Sequence, residues 1–297
     1  MVLKIIEYLG IVFGVIILGL LYGGIARKVI ARIHRRYGPP FYQNILDVLK
    51  LFAKSNEASH GVMFNLGPVI AFTGVLVSLF FIPLGSFRPL FSFEGDIFVV
   101  FYLLVVAPLG MALGAGEGAN PNATIGIARG LTLMLGYELV FFLSVLAPMI
   151  HYRTASIATL VTVQSAFPHW NVFPFFISAF AGLIALHGMM GEKPFDQVIA
   201  PHEIASGPMV EYSGKFLGLL QLYHAVGIIV ETGLVVDIFF GGGNWLTFIL
   251  KTFFLFIALV IINAVMPRFR IGQAVKFYWK YPLVISLIGL LIVTIWR

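Results

Sequence analysis

The chain has 297 residues, of which 60% are hydrophobic and 11% charged, with a formal net charge of +6 and no cysteine. A soluble domain carries about 25% charged and about 45–50% apolar residues, so this composition excludes a soluble globular fold and makes lipid the solvent for most of the surface. The missing cysteine excludes disulfides, zinc–thiolate sites and cysteine-held iron–sulfur clusters within the chain. The positive balance reads as basic loops that set membrane orientation, not as a nucleic-acid surface.

A spanning helix needs about 20 mostly apolar residues. Such stretches fall near 5–25, 66–84, 97–116, 127–149, 171–190, 215–237, 246–266 and 281–296. The expectation is an all-α integral membrane protein of eight transmembrane helices, one membrane domain over 1–297, without an internal repeat. The first stretch has no small-residue cleavage pattern and reads as a retained helix, not a signal peptide. Segment 41–54 is too short and too charged to span. Its Ile45, Val48, Leu49 and Phe52 recur at helical spacing between Asp47, Lys50 and Lys54. That pattern predicts an amphipathic helix, at the cytoplasmic interface gripping lipid headgroups or against a partner.

Charge alternates between the loops. Segment 26–60 carries Arg27, Lys28, Arg32, Arg35, Arg36, Lys50 and Lys54; loop 191–214 carries Lys193; segment 267–280 carries Arg268, Arg270, Lys276 and Lys280. The opposite loops hold Arg88 and Arg153. Eight alternating helices place the three basic segments on one side. The positive-inside rule makes that side cytoplasmic and both termini external.

Ionisable residues inside a span cost about 2.5–3.5 kcal/mol on insertion scales and persist where they find partners or water. Arg129 and Glu138 share the fourth stretch, nine residues or about 13–14 Å apart along a helix. Arg129 can reach the interface, whereas Glu138 sits near mid-span and is a candidate for a proton or ion route. Glu231 in the sixth stretch, with His224 two turns before it, could continue a polar path, while Asp237 reads as interfacial.

Loop 191–214 gathers Asp196, His202, Glu203 and Glu211. Clustered carboxylates perturb one another's proton affinity and can pass protons, although a plain solvated loop has the same composition. If that stretch is helical, Glu203 and Glu211 share a face. One histidine among scattered carboxylates makes no metal site. Glu117 lies in GAGEGANPNATIG, a Gly- and Asn-rich turn whose spacing does not fit dinucleotide binding.

Three blocks resemble a known family. ARKVIARIHRRYGPPFYQNILDVLKLFAK (26–54), GIARGLTLMLGYELVFFLSVL (126–146) and PFDQVIAPHEIASGPMVEYSG (194–214) occur in the order of the first loop, the Arg-and-Glu helix and the acidic loop of the quinone-site membrane subunit of respiratory complex I, the NuoH type. The resemblance covers essentially the whole chain. It implies eight transmembrane helices, one long and tilted, and no prosthetic group in this subunit. It implies that Arg27, Arg36, Asp47, Lys50 and Glu117 face a docked soluble arm. By the same resemblance Glu138, Glu203 and Glu211 begin a proton route into the membrane, Asp196 matches the family's Pro-Phe-Asp aspartate and Arg129 the family arginine; His202 and Glu231 join these candidates from the residues alone.

Ala26, Ser55, Ile199 and Pro201 depart from the acidic residues that complex I members usually carry, and they touch the quinone-pocket environment. The Gly-Pro-Pro at 38–40, the His-Glu-Ile at 202–204 and the short length look more like archaeal membrane-bound [NiFe] hydrogenases and their sulfane sulfur reductase sisters. Those complexes take electrons from ferredoxin and use no quinone. The resemblance therefore implies a non-catalytic anchor. Its expected partners are a hydrophilic catalytic large subunit, iron–sulfur subunits and antiporter-like membrane subunits, with the [NiFe] centre or iron–sulfur clusters held in those partners. A quinone-site subunit of a complex I-like dehydrogenase and a stand-alone secondary transporter are the competing expectations. A transporter would usually show paired, interrupted helices related by a repeat.

Overall fold

The computed structural model describes residues 2–56, 60–118, 120–164 and 168–295. Among them there is no β-strand. The helices are α1 (Val2–Ile33), α2 (Gln43–Phe52), α3 (Val62–Ser78), α4 (Asp96–Gly116), α5 (Pro121–Tyr152), α6 (Ile157–Val163), α7 (Phe176–Met189), α8 (Pro201–Ile204), α9 (Gly214–Phe239), α10 (Trp245–Val265), α11 (Ile271–Lys280) and α12 (Pro282–Ile295). Six helical stretches are long and apolar enough to cross a membrane, with α11 and α12 acting as one stretch over Ile271–Ile295; α3 and α7 are shorter apolar helices.

Helix length explains where the expected boundaries shift. α1 and α5 each have 32 residues, about 48 Å at 1.5 Å per residue, well beyond a hydrocarbon core of about 30 Å. α1 therefore runs on through Arg27, Lys28 and Arg32, which the sequence placed in a loop, because Arg and Lys are good helix formers. α5 starts six residues early: Pro121 is suited to a first helical position and Asn120 caps it by accepting from the Asn122 N–H at 2.9 Å. Residues 271–280, also expected as loop, are helical. Ala274 and Tyr278, four residues apart, are buried while Lys276 and Lys280 point away from that face.

Packing follows small residues and one central helix. α3 and α4 touch through glycine: a Cβ added to Gly67 would stand 2.5 Å from the Gly114 Cα, so only glycine permits this approach. Of the most apolar window of α9, 72% is buried, against 28% for α10. α9 is thus the axis of the bundle, and its ionisable residues must be accounted for inside the protein. α2 lies on α1 and α9 through Val48, which packs with Leu20, Leu222 and Ala225, while Leu46, Leu49 and Phe52 stay exposed.

Candidate coupling site

The acidic loop is held by arginines from elsewhere in the chain. Arg268, in the turn between α10 and α11, donates from Nη2 to Asp196 Oδ2 at 2.5 Å and from Nη1 to Glu203 Oε1 at 3.2 Å. Arg129 on α5 donates from Nη1 to the other oxygen of Glu203 at 2.7 Å. Asp196, Glu203, Arg129 and Arg268 therefore form one alternating chain of charge. The Asp196–Arg268 end is largely buried, with side chains 14% and 12% exposed, whereas Glu203 is 49% exposed. The Arg129 hydrogen bond, then that of Arg268, holds the Glu203 carboxyl below the ordinary glutamate range. Burial works against the charge of Arg268, but Asp196 and Glu203 outweigh it and hold the guanidinium above its usual value.

A residue not singled out from sequence stands beside this chain. Glu192 is mostly buried, and its carboxylate accepts a hydrogen bond from the Asn263 side chain of α10. Burial, reinforced by the negative charge of Asp196 and opposed by Lys193, pushes it up to about 7. A carboxyl with that value exchanges its proton near neutral pH. The loop backbone around it is pinned: Lys193 N–H donates to Asn263 Oδ1 at 3.3 Å, and Lys193 O lies 2.7 Å from His187 Nε2.

Glu203 and Glu211 do not share a helix face. α8 ends at Ile204, and Ala205, Ser206 and Gly207 follow with φ of 50°, 77° and 52°. Three consecutive left-handed residues turn the chain sharply, and two of them lack the freedom of glycine. Glu211 is thereby sent to a different partner, with its Oε2 3.3 Å from His60 Nε2. Beside it, Glu117 Oε2 accepts from the Phe64 N–H at 2.6 Å, which caps α3, and Tyr212 stacks on Phe64 with centroids 4.3 Å apart. Burial and the charges of Glu211 and Glu117 raise the Tyr212 hydroxyl well above its usual range.

Beneath the loop lies a cavity of about 640 Å³ between α4, α5 and α9. Its walls are mostly aromatic and aliphatic, including Phe98, Phe101 and Phe142, and its polar members are Tyr102, Tyr137, Glu138, Tyr223, His224 and Glu231. Gly191, Phe195, Val198 and Ile199 of the acidic loop line the same cavity, as do Gly130 and Leu131 next to Arg129. His224 and Glu231 are seven residues apart on α9, so both point the same way. The structure thus gathers Glu138, His224 and Glu231 around one space and sets the charged loop against its edge.

The expected docking residues divide. Arg27 Nη1 donates to Asn44 Oδ1 at 2.7 Å and to Asp47 Oδ2 at 3.0 Å, and Gln43 donates to Asp47 Oδ1 at 2.9 Å. The Gln43 hydrogen bond, then Arg27 and Lys50, lowers the Asp47 carboxyl against the opposing effect of burial. Arg27 and Asp47 therefore fasten α2 to α1 and Glu117 caps α3, while Arg36 and Lys50 are exposed; His202, expected in the coupling set, is exposed as well. Among the described residues no group of three or more His, Cys, Asp or Glu could hold a metal ion.

The NADH dehydrogenase family model matches residues 6–294. The chain belongs to the NADH dehydrogenase family. This family member also superposes on a chain in the structure of the membrane-bound sulfane sulfur reductase (MBS), an archaeal respiratory membrane complex. The TM-score is 0.92 at 38% identity, over 97% of this chain and 99% of that one. The multi-pass membrane reading and the NuoH-type resemblance of the three sequence blocks agree with both comparisons.

Proposed function

We propose that this chain is the non-redox coupling subunit of an ion-pumping, ferredoxin-oxidising respiratory complex of the membrane-bound hydrogenase type. The observation that carries the reading is the shared wall: the loop holding Asp196, Glu192 and Glu203 also lines the cavity that contains Glu138 and Glu231. In this reading eight segments cross the bilayer, with α3 and α7 as the two short ones. The basic segments face the cytoplasm and both termini face outward. A soluble catalytic arm, carrying its own [NiFe] or iron–sulfur centres, docks on the exposed Arg36, Lys50 and His202 side.

Electron transfer in that arm changes the charge felt by Asp196 and Glu203. Their arginine bridges loosen or tighten, Glu192 adjusts its protonation, and Glu138 passes the change into the bilayer. An antiporter-like arm then moves protons or sodium. The carboxylates act through charge and proton affinity, not as nucleophiles.

The sulfane sulfur reductase is a second reading, favoured by the 38% identity to a chain of that complex over nearly the full length. The test is gentle solubilisation, capture of this chain and assay of the captured complex with reduced ferredoxin. Hydrogen evolution supports the first reading and polysulfide reduction the second. Electron transfer only to a quinone, or recovery of the chain as an active solitary transporter, contradicts both.

A further inference from the structure

The end of α9 remote from the acidic loop holds a charged arrangement that coupling does not use. After Phe239 the chain turns through Gly241, Gly242 and Gly243, with φ of 69°, 50° and 118°. Glycine accepts these values without a steric clash. The turn directs the carbonyl oxygens of Phe240 and Gly242 onto one point, and the ammonium of Lys251 from α10 occupies it. Lys251 Nζ donates to Phe240 O at 2.7 Å and to Gly242 O at 2.8 Å, and lies 4.3 Å from the Trp170 ring centroid.

Asp237, near the end of α9, is fully buried, and neither carboxylate oxygen has a hydrogen-bond partner among the described residues. Its Oδ1 faces the same turn: a Cβ built on Gly242 would stand 2.9 Å from it. The neighbouring Gln164 amide is committed to the Leu160 and Asp237 carbonyls at 2.9 and 2.8 Å, so it does not serve the carboxylate. A lysine on the last carbonyls of a helix is an ordinary C-terminal cap. Capping explains Lys251 but leaves a buried carboxylate with no donor, an arrangement that proteins otherwise avoid.

We propose that this turn is a monovalent-cation site built from the Phe240 and Gly242 carbonyls and the Trp170 face, with the Asp237 carboxylate facing the turn beyond ion-pair distance, filled here by the tethered ammonium of Lys251. A free ion of ammonium size takes that place when the ammonium is withdrawn. The spacing set by the ammonium suits a large monovalent ion better than a small divalent one. Magnesium sits about 2.0–2.1 Å and calcium about 2.3–2.6 Å from its oxygens, both shorter than the contacts made by Lys251. Backbone carbonyls are suited to potassium, and an aromatic face attracts a cation by its quadrupole. A cation held in the turn would draw Asp237 into its charged form and be balanced by it.

The test compares the isolated complex carrying wild-type chain, Lys251→Met, or Lys251→Met with Asp237→Asn. Thermal unfolding of this subunit is followed in potassium, sodium and choline chloride at equal ionic strength. The site predicts a saturable rise in Tm with potassium for Lys251→Met, a smaller one with sodium and none with choline. Wild type and the double variant should not distinguish the salts. Equal Tm values in all three salts for Lys251→Met overturn the proposal, as does a potassium response that survives Asp237→Asn or is already present in wild type. If Lys251→Met does not assemble, Lys251→Gln produced and purified in potassium replaces it. Failure of both in potassium also overturns the proposal, because the ion should then fill the site.

Discussion

The connection at residues 94–96 and the acidic loop use carboxylates differently. At the connection, which meets residues 152–157, Asp96 is fully buried and accepts from the Ile157 N–H at 2.8 Å and the Ser156 hydroxyl at 3.2 Å. Glu94 accepts from the Thr154 hydroxyl at 3.2 Å and from the Ala155 N–H. These carboxylates cap backbone and fix a short connection. In the acidic loop, Asp196 takes one backbone N–H, from Ala200 at 3.3 Å, but its closest partner is Arg268; Glu203 is bound only by arginine side chains that arrive from other elements, and Glu192 depends on one side-chain amide. A backbone N–H cannot leave its carboxylate without unfolding the turn, whereas a guanidinium can swing away on a flexible stem. The first region is scaffold, and the second can change its charge pattern while the fold persists.

Substitutions in the two regions should separate stability from coupling. The largest effect is expected for Arg268→Ala, which leaves the mostly buried Asp196 with the Ala200 N–H but no opposite charge and half-releases Glu203. Breaking such a pair costs about 3 kcal/mol, read as a fall in Tm, and should also lower the number of ions moved per electron. Asp96→Ala leaves the Ile157 N–H without its acceptor and costs about 2 kcal/mol. It should leave the ion-to-electron ratio unchanged; a drop in that ratio would erase the contrast between the regions. Arg27→Ala, at a pair with side chains 50% and 36% exposed, should cost less than about 1 kcal/mol and mainly loosen α2 from α1.

Glu192 sharpens the comparison through pH. Its folded value of about 7 lies above the ordinary glutamate value of 4.5, so the folded state binds the extra proton. The stability it contributes is present at low pH and is lost as pH rises from about 4.5 to about 7. Denaturant titrations across that window should show this slope, and Glu192→Gln should flatten it. An unchanged slope in the variant would place the titration elsewhere.

Much of the site was legible because a lone charge in an apolar run is conspicuous. Glu138, Glu231 and His224 stood out for that reason, and all three line the cavity. Arg268 was visible only as one basic residue among several, since its partner Asp196 lies 72 residues away and nothing local announces the pair. Glu192 is inconspicuous in the sequence because it sits among loop residues, where a carboxylate is ordinary; its burial comes with the Asn263 contact from α10. The left-handed run at Ala205–Gly207 separates Glu203 from Glu211, and helical spacing could not foresee it. Residues 271–280 read as loop on their charge, yet the burial of Ala274 and Tyr278 makes them one face of a helix.

The central claim is that charge in the acidic loop reaches the membrane through Glu138. The direct measurement is ion movement per electron in vesicles containing the intact complex, for wild type and Glu138→Gln. The neutral isostere keeps the shape of the side chain, so assembly and electron transfer should survive while ion movement falls, by about 10²-fold if Glu138 is a positioned proton-transfer group. A normal ratio of ions to electrons in Glu138→Gln would contradict the account and leave Glu138 with a structural role alone.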